Sequence, residues 1–546
     1  MDAPRDDHRL SENGNGNGCG EADGRLSKRP RPHPAPISAA EIVEEFSHND
    51  PAVARVNNGS FGCCPASVLA AQLRWQRLFL RQPDEFYFSS LQPSLTRSRS
   101  LVLELINAAH LDEVSLVDNA TTAAAIIFQH VAWSFIEGAF NPGDAVVMLH
   151  YAYGAVKQSI HAYVARAGGH VVEVPLPFPL SSPDEVVAEF RRTLGLCRAG
   201  GRRVRLAVID HITSMPCVVI PVKELTRICR EEGVDQVFVD GAHSIGNVEV
   251  DVQDIGADFY TSNLHKWLFC PPSVAFLHTR GSPAATPSLH HPVVSHEYGN
   301  GLPLESGWIG NRDYTPQLVV PAVVEFVERF EGGLEGIRRR NHEKVVEMGK
   351  MLAESWGTLL GCPPEMSCSM IMVGLPGCLG ISSETDAMKL RALLRDEFKI
   401  EVPIHYQSPP KDGEAAGATD ESGATVTGYA RISHQVYNVE DDYCRLRDAV
   451  HKLVRDGFSC IQSTEEGIQH SSKREAAIGF QSRFPKHGGC GKFERPLGPG
   501  NGPIWPKTGL SWVRWMAHAT TWSHIKRWHR LRLSLPGGLG DGTIGN

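Results

Sequence analysis

Short apolar runs alternate with longer, helically spaced apolar stretches between residues 114 and 275 of this chain. Four of the runs have the length of buried strands. They lie at 114–117, 145–149, 204–209 and 237–239. A helix is predicted at 222–232, between the last two runs. This alternation predicts an α/β fold with a doubly wound, mostly parallel sheet whose strands end at a common edge.

The pattern changes towards both ends of the chain. A capping box, Ser38 with Glu41, predicts the start of the first helix. One long amphipathic helix is predicted at 321–351, and it leads to a smaller α+β lobe. The expected organisation is a disordered N-terminal segment, an N-terminal arm with the large cofactor-binding domain, a linking helix with a small C-terminal domain, and an atypical tail. These four segments are 1–36, 37–320, 321–458 and 459–546.

Strands of the small lobe are predicted at 371–375 and 402–406, with a helix at 387–398. The tail from residue 459 is glycine-rich, contains several tryptophans and has no sustained period. Disorder, a fused segment and a mistaken gene model are three open explanations for it. The first 36 residues contain almost no large apolar side chains, so they cannot offset the entropy cost of ordering.

Composition and charge narrow the class of protein. The 546 residues have a net charge of −8, which gives no electrostatic reason to expect nucleic acid as a partner. No stretch approaches the roughly 20 apolar residues of a membrane span. The 13 cysteines are odd in number and irregularly spaced, which favours a reducing compartment. No metal site is expected, because the pair Cys63 and Cys64 has no second pair at ligand spacing.

These features predict a cytoplasmic protein. The basic cluster formed by Lys28, Arg29 and Arg31 leaves a weak nuclear signal or a transit segment as alternatives, so a mitochondrial or plastid location stays open. Nearby acidic residues argue against a typical transit composition.

Candidate chemistry lies where two of the strands end. Asp240 follows the run at 237–239, and Lys266 follows a further apolar segment at 257–261 and precedes Trp267. A strand-end carboxylate and a nearby lysine are the pair that holds pyridoxal 5′-phosphate: the lysine binds it covalently and the carboxylate keeps its ring nitrogen protonated. Taken singly, Asp240 fits a helix cap and Lys266 a solvated surface charge.

Two other stretches offer groups that bind anions. Polar residues 119–122 stand between a strand and a helix, where backbone N–H groups favour phosphate, although ordinary N-capping explains them equally well. Arg431 alternates with apolar neighbours on a predicted strand, and its guanidinium suits a substrate carboxylate. The competing interpretation of Arg431 is a surface ion pair with Asp441 or Asp442. Tyr151 is interpreted as a core residue.

The segments DGAHS at 240–244 and SNLHKW at 262–267 resemble the aminotransferase class V family of pyridoxal phosphate enzymes. Residues 42–458 are similar to its plant L-cysteine desulfhydrase branch, near the isopenicillin N epimerase-like branch. The resemblance implies the pyridoxal-phosphate-dependent transferase type I fold, a homodimer and additional site residues. For the cofactor these are Ala120, Thr121, Thr122, Tyr153, His243, Asn263, His265 and, across the dimer interface, Asn311. For the substrate they are Asn58, Gly59, Ser60 and Arg431.

The reaction implied by the resemblance is β-elimination of L-cysteine to hydrogen sulfide, pyruvate and ammonia, with Lys266 as the catalytic base. A cysteine desulfurase would need a nucleophilic cysteine near the arginine, and residues 407–436 contain none. An epimerase would need a second acid, for which no residue stands out. A catalytically inactive scaffold of the same fold is the non-enzyme alternative.

Overall fold

The computed structural model describes residues 35–281, 289–409 and 417–461. All of them fall in the first of two units into which the chain divides, Met1–Lys473 and Arg474–Asn546. The predictions of disorder for the N-terminal segment and of an atypical tail therefore lie almost entirely outside the described residues. None of the described helices is long and apolar enough to cross a membrane.

Strands are present at each of the predicted positions, and four further strands, at 54–55, 170–174, 275–279 and 400–401, were not predicted. In chain order, the described strands are β1 (Ala54–Arg55), β2 (Val114–Val117), β3 (Ala145–Leu149), β4 (His170–Val174), β5 (Val204–Asp210), β6 (Gln236–Asp240), β7 (Phe259–Asn263), β8 (Ala275–Thr279), β9 (Met370–Gly374), β10 (Ile400–Glu401), β11 (Ile404–Tyr406) and β12 (Gly428–Ser433).

The α-helices separate and cover these strands. They are α1 (Ala39–Glu45), α2 (Asn58–Phe61), α3 (Ala66–Arg81), α4 (Pro83–Glu85), α5 (Leu91–Ile106), α6 (Ala120–Ile136), α7 (Gly154–Ser159), α8 (Pro183–Ala199), α9 (Val222–Glu231), α10 (Val252–Ile255), α11 (Leu264–Trp267), α12 (Leu302–Glu305), α13 (Thr315–Leu318), α14 (Val320–Glu328), α15 (Gly333–Trp356), α16 (Glu384–Phe398) and α17 (Glu440–Arg455). The predicted capping box at the start of α1 is present, with Ser38 and Glu41 bonded to each other.

The large sheet has seven strands in the order β2-β8-β7-β6-β5-β3-β4. The pairs from β7 through β4 are parallel, whereas β8 is antiparallel to both β7 and β2. Alternate residues of each central strand enter apolar clusters on opposite faces, such as Val147 on one face and Met148 on the other. Burial of both faces explains why these strands appear in the sequence as continuous apolar runs. Strands β5, β6 and β7 end at a common edge.

The smaller lobe contains the antiparallel sheet β11-β12-β9 and its own apolar cluster, which α15, α16 and α17 complete. Two residues from the N-terminal arm, Ala54 and Val56, belong to this cluster, and β1 pairs with β10. The N-terminal arm therefore packs against the small lobe. This contact holds the polar segment that follows β1 beside the lobe that carries β12.

The prediction of one long helix at 321–351 was wrong. The structure has two helices there, α14 and α15, because Gly332 and Gly333 adopt left-handed backbone with φ of 71° and 55°. Helical periodicity continues through the break, so the apolar pattern alone does not reveal it. The adjacent glycines were the available signal.

Candidate functional site

A cavity of about 190 Å³ lies at the carboxyl edge of β5, β6 and β7 and the N-terminus of α6. The structure brings nine of the predicted site residues to its wall. They are Ser60, Ala120, Thr121, Tyr153, Asp240, His243, Asn263, His265 and Lys266. Ligands of open α/β sheets bind at such an edge, outside the carboxyl ends of the strands. The cavity is therefore the candidate site.

Lys266 lies in the short helix α11, directly after β7, and its partly exposed side chain faces the cavity. Its Nζ is 3.2 Å from His243 Nε2. Burial, with the charge of Arg431 as the second cause, lowers the pKa of Lys266 to about 8, although Asp240 acts in the opposite direction. At pH 7 roughly a tenth of Lys266 is thus the neutral, nucleophilic amine, far more than for an ordinary lysine.

His243 and Asp240 support this lysine from β6 and the turn that follows it. Trp267 Nε1 donates to His243 Nδ1 at 3.5 Å, and the other ring nitrogen of His243, Nε2, faces Lys266 Nζ. Burial and the charge of Lys266 hold the pKa of His243 well below its ordinary value. Asp240 Oδ1 accepts the Ala242 N–H at 3.0 Å, and burial raises the pKa of Asp240. A buried carboxyl group of this kind suits a cationic ring N–H.

Two backbone N–H groups at the N-terminus of α6 already have hydrogen-bond partners within the protein. Asn263 Oδ1 accepts the Ala120 N–H at 2.9 Å, and Asn119 Oδ1 accepts the Thr122 N–H at 2.9 Å. Thr122 does not line the cavity and acts as a capped helix residue, whereas Thr121 lines it. His265 Nδ1 is 2.9 Å from the Val274 carbonyl, which leaves Nε2 available. Thr121 and His265 thus line the cavity at this end, and Asn263 is bonded to the first turn of α6.

Arg431 approaches from β12 of the small lobe and is only 2% exposed. Its Nη1 donates to the Ser214 carbonyl at 2.8 Å, and its Nη2 donates to Asn57 Oδ1 and Ser60 Oγ, both at 2.9 Å. Its Nε has no partner, and no carboxylate of the described residues forms an ion pair with it. A surface ion pair with Asp441 or Asp442 is therefore wrong. A buried guanidinium without a counter-ion favours binding of an anionic ligand.

The remaining predicted residues lie outside the cavity wall. Asn58 donates through Nδ2 to Asn438 Oδ1 at 2.8 Å and accepts from Tyr437, so it joins the arm to the small lobe. Asn311 accepts a hydrogen bond from Tyr87 at 2.8 Å, and its approach to a partner's cofactor remains a prediction. Tyr151 donates to the Leu176 carbonyl, which agrees with its interpretation as a core residue.

Two glycines of the polar arm allow close contact with the lysine segment. A Cβ on Gly59 would lie 2.4 Å from Met370 Sδ, and one on Gly62 would lie 1.9 Å from the His265 carbonyl oxygen and 2.7 Å from that of Lys266. Gly62 also has φ 67° and ψ −169°, a conformation that is almost exclusive to glycine. The obstacles to Gly62 are backbone atoms, so no rotamer change relieves the contact.

We therefore expect Gly62→Ala to lower the free energy of unfolding by about 2–5 kcal/mol, since it combines backbone strain with overpacking. Gly138→Ala is the matched control, because Gly138 has φ 79° with nothing within 4 Å of its Cβ position. The control should lose only about 1–2 kcal/mol, the cost of left-handed backbone. Urea unfolding measures both. Equal losses for the two variants would contradict the close contact with the lysine segment.

Sequence reasoning missed several residues of the wall and of the arginine's surroundings. They are Asn57, Val156, Asp210, Ile212, Ser214 and Ala242. Asp210 had a usable signal, because it ends an apolar strand in the same way as Asp240 does. Asn57 and Ser214 had no such sequence signal, because they become important only when the small lobe places Arg431 between them.

Comparisons with known proteins agree with this architecture. A family model described as "Aminotransferase class-V" matches residues 89–289. An Arabidopsis thaliana protein named "Probable L-cysteine desulfhydrase, chloroplastic" is 65% identical over 425 residues, which cover 78% of this chain and 88% of that protein. A second one, named "L-cysteine desulfhydrase", is 58% identical over 438 residues, with 80% and 95% covered.

The solved structure of a cysteine desulfurase from Escherichia coli has the same fold. It matches with a TM-score of 0.55 and 17% sequence identity over 77% of this chain and 99% of that chain. At this identity the likeness concerns the fold alone. It confirms the predicted fold class, the pyridoxal-phosphate-dependent transferase type I fold.

Proposed function

Because the chain belongs to the aminotransferase class V family, in the group that contains the plant L-cysteine desulfhydrases, we propose that it is a pyridoxal-phosphate-dependent carbon–sulfur lyase. Its reaction converts L-cysteine and water into hydrogen sulfide, pyruvate and ammonia. The observation that carries the proposal is one cavity that is lined by both Lys266 and Asp240. Two further wall residues, Ser60 and Ser214, accept hydrogen bonds from Arg431, a buried cation with no carboxylate partner among the described residues.

The residues of the cavity fit the cofactor. Lys266 would bind its aldehyde carbon, Asp240 its ring N–H, and Thr121 with His265 its phosphate. When bound, pyridoxal phosphate withdraws electron density from the α-carbon of an attached amino acid, which acidifies the α-proton and allows a β-leaving group to depart.

The chain's own groups supply binding and proton transfer. Arg431 binds the α-carboxylate of the substrate by its charge and by the Nε–H that has no partner among the described residues, and Ser60 and Asn57 hold the guanidinium in place through Nη2. Lys266 Nζ removes the α-proton as the free amine. His243, which is held neutral, contacts Lys266 Nζ through Nε2 at 3.2 Å and so orients the lysine.

Elimination is favoured over desulfuration by the absence of a sulfur acceptor. No cysteine among the described residues lines the cavity, and residues 407–436, part of which lies outside the described ranges, contain none in the sequence. The buried thiols Cys217 and Cys368 have raised pKa values because of their burial, so they are protonated and poorly nucleophilic.

The deciding experiment is incubation of the purified holoenzyme with L-cysteine in the absence of a thiol acceptor, with sulfide and pyruvate measured together. Elimination gives the two in equal amounts. Sulfide that appears only with added reductant, accompanied by alanine, would replace this proposal with desulfuration. Loss of optical rotation without sulfide would replace it with epimerisation, and no reaction at all would support an inactive scaffold.

The depressed pKa of Lys266 gives a pH-dependent expectation. Only the neutral amine reacts with an aldehyde, so the rate at which the apoprotein binds pyridoxal phosphate covalently should rise with pH and level off above the midpoint of about 8. An ordinary lysine would still be gaining reactivity up to its usual pKa of 10.5. Stopped-flow absorbance across this range measures the rate. A rate that keeps rising tenfold per pH unit beyond 9 would contradict the desolvated lysine.

We also propose a homodimer, in which Asn311 approaches the cofactor phosphate bound by the partner subunit. Its position outside the wall of its own cavity supports this arrangement. Analytical ultracentrifugation of the active enzyme tests it, and an active monomer would contradict it. The cytoplasmic location stays a prediction, and the chloroplastic name of one Arabidopsis thaliana relative supports the plastid alternative.

A further inference from the structure

Two carboxyl groups, those of Asp210 and Asp240, stand side by side at the edge of the sheet. These residues end β5 and β6 and are directly paired in register on the two parallel strands. Paired residues of adjacent strands project from the same face, and both side chains line the cavity. They are only 4% and 3% exposed. The cavity is therefore lined by two buried carboxyl groups, whereas the sequence had predicted only that of Asp240.

The surroundings of the two carboxyl groups are unequal. Asp240 accepts a hydrogen bond from the Ala242 N–H and is stabilised by the charge of Lys266. Asp210 Oδ2 is buried and has no hydrogen-bond partner among the described residues. The groups that act on Asp210 are the Asp240 carboxyl from β6, the Lys157 ammonium from α7 and the Tyr153 backbone, and Lys157 is engaged with Glu173 at 2.8 Å.

Two neighbouring buried carboxylates do not both ionise at neutral pH, because each desolvated charge repels the other. Backbone groups and Lys157 act on Asp210 as well, but Lys157 is paired with Glu173 and Asp210 Oδ2 has no partner among the described residues. The negative charge therefore belongs on Asp240, whose Oδ1 accepts the Ala242 N–H at 3.0 Å. The proton belongs on Asp210. Burial, with the charge of Asp240 as the second cause, raises the pKa of Asp210 well above its ordinary value, which agrees with this division.

We propose that Asp210 is a neutral carboxylic acid whose O–H donates a hydrogen bond to an oxygen acceptor of the cofactor in this cavity. The inference rests on the proposed function, because it concerns the same cofactor site. A buried polar group ordinarily has a partner, and the cavity is where an acceptor for this O–H would bind. A second ionised acid would instead repel an anionic cofactor. The protonated side chain of Asp210 thus adds a hydrogen-bond donor to the cavity without adding a negative charge.

Infrared difference spectroscopy tests the protonation state directly. The holoenzyme at pH 8 should show the C=O stretch of a protonated carboxylic acid, although ordinary carboxyl groups are ionised there. Asp210→Asn should remove this band. Absence of the band from the wild-type spectrum, which requires no variant, would overturn the assignment. So would a band that survives in Asp210→Asn.

Cofactor affinity tests the donor role, with binding of pyridoxal phosphate measured by absorbance. Asparagine keeps an N–H donor at the same place, so Asp210→Asn should bind the cofactor nearly as well as the wild type. Asp210→Ala should bind it about tenfold more weakly, the equivalent of one hydrogen bond. Equal affinity for alanine and wild type would overturn the donor role. Neither readout needs turnover, so failure to release sulfide from L-cysteine would affect the proposed reaction alone.

Discussion

Lys266→Ala should abolish sulfide release from L-cysteine and the visible absorbance of covalently bound cofactor. The substitution removes the amine that links the cofactor and also the base that takes the α-proton, and loss of a general base alone costs about 10²–10⁴-fold in rate. Sulfide formation should therefore fall by at least this factor. The fold should survive, because the side chain borders a cavity and supports no apolar cluster.

Lys344→Ala is the matched control for this experiment. Lys344 lies on the exposed surface of α15, where it pairs with Glu347 at 2.7 Å. Surface pairs of this kind contribute about 0–1 kcal/mol, so absorbance and turnover should match those of the wild type. Retention of covalent cofactor in Lys266→Ala would show that another lysine performs the chemistry assigned to this one.

Arg431→Met should lower kcat/KM for L-cysteine by about 10²–10³-fold, because the substrate carboxylate loses its buried, charged partner. The shape of the side chain is roughly kept, so the cofactor should still bind with its normal absorbance. Arg431→Lys should lie between the methionine variant and the wild type, since an ammonium keeps the charge but lacks the planar fork.

The matched control here is Arg447→Met, at a half-exposed position of α17 where, among the described residues, the guanidinium forms an ion pair with Asp448 alone, at 2.8 Å. Steady-state kinetics with L-cysteine separates the variants. If kcat/KM were unchanged in both Arg431→Met and the control, Arg431 would not bind the substrate carboxylate. The absence of a counter-ion beside it among the described residues would then need another explanation.

Local patterns predicted much of the large lobe. The strands β2 and β3 have the predicted bounds, since residues buried on both faces of a sheet form uninterrupted apolar runs. Periodicity did not reveal the break between α14 and α15, because the apolar face resumes in phase after the two glycines. It also gave no sign that Ala54 and Val56 pack in the small lobe, a contact made across hundreds of residues.

For the candidate site, strand-end positions and the family resemblance identified Asp240 and Lys266 and placed them at one edge of the sheet. The same reasoning did not separate Thr121, which lines the cavity, from Thr122, whose N–H is capped by Asn119. That distinction depends on which donor each side chain reaches after folding. Asn57 and Ser214 were missed for a related reason, because they become neighbours of Arg431 only when the two lobes pack together.

The central claim is that Lys266 holds the cofactor in the cavity that Asp240 also lines and that Arg431 adjoins through Ser60 and Ser214. Its most direct test is reduction of the holoenzyme with borohydride, followed by digestion and mass spectrometry of the modified peptides. The structure leads us to expect a single pyridoxyl-modified peptide, with the modification on Lys266. Modification of a different lysine in the native protein, or none at all in protein that shows the cofactor's absorbance, would contradict the account.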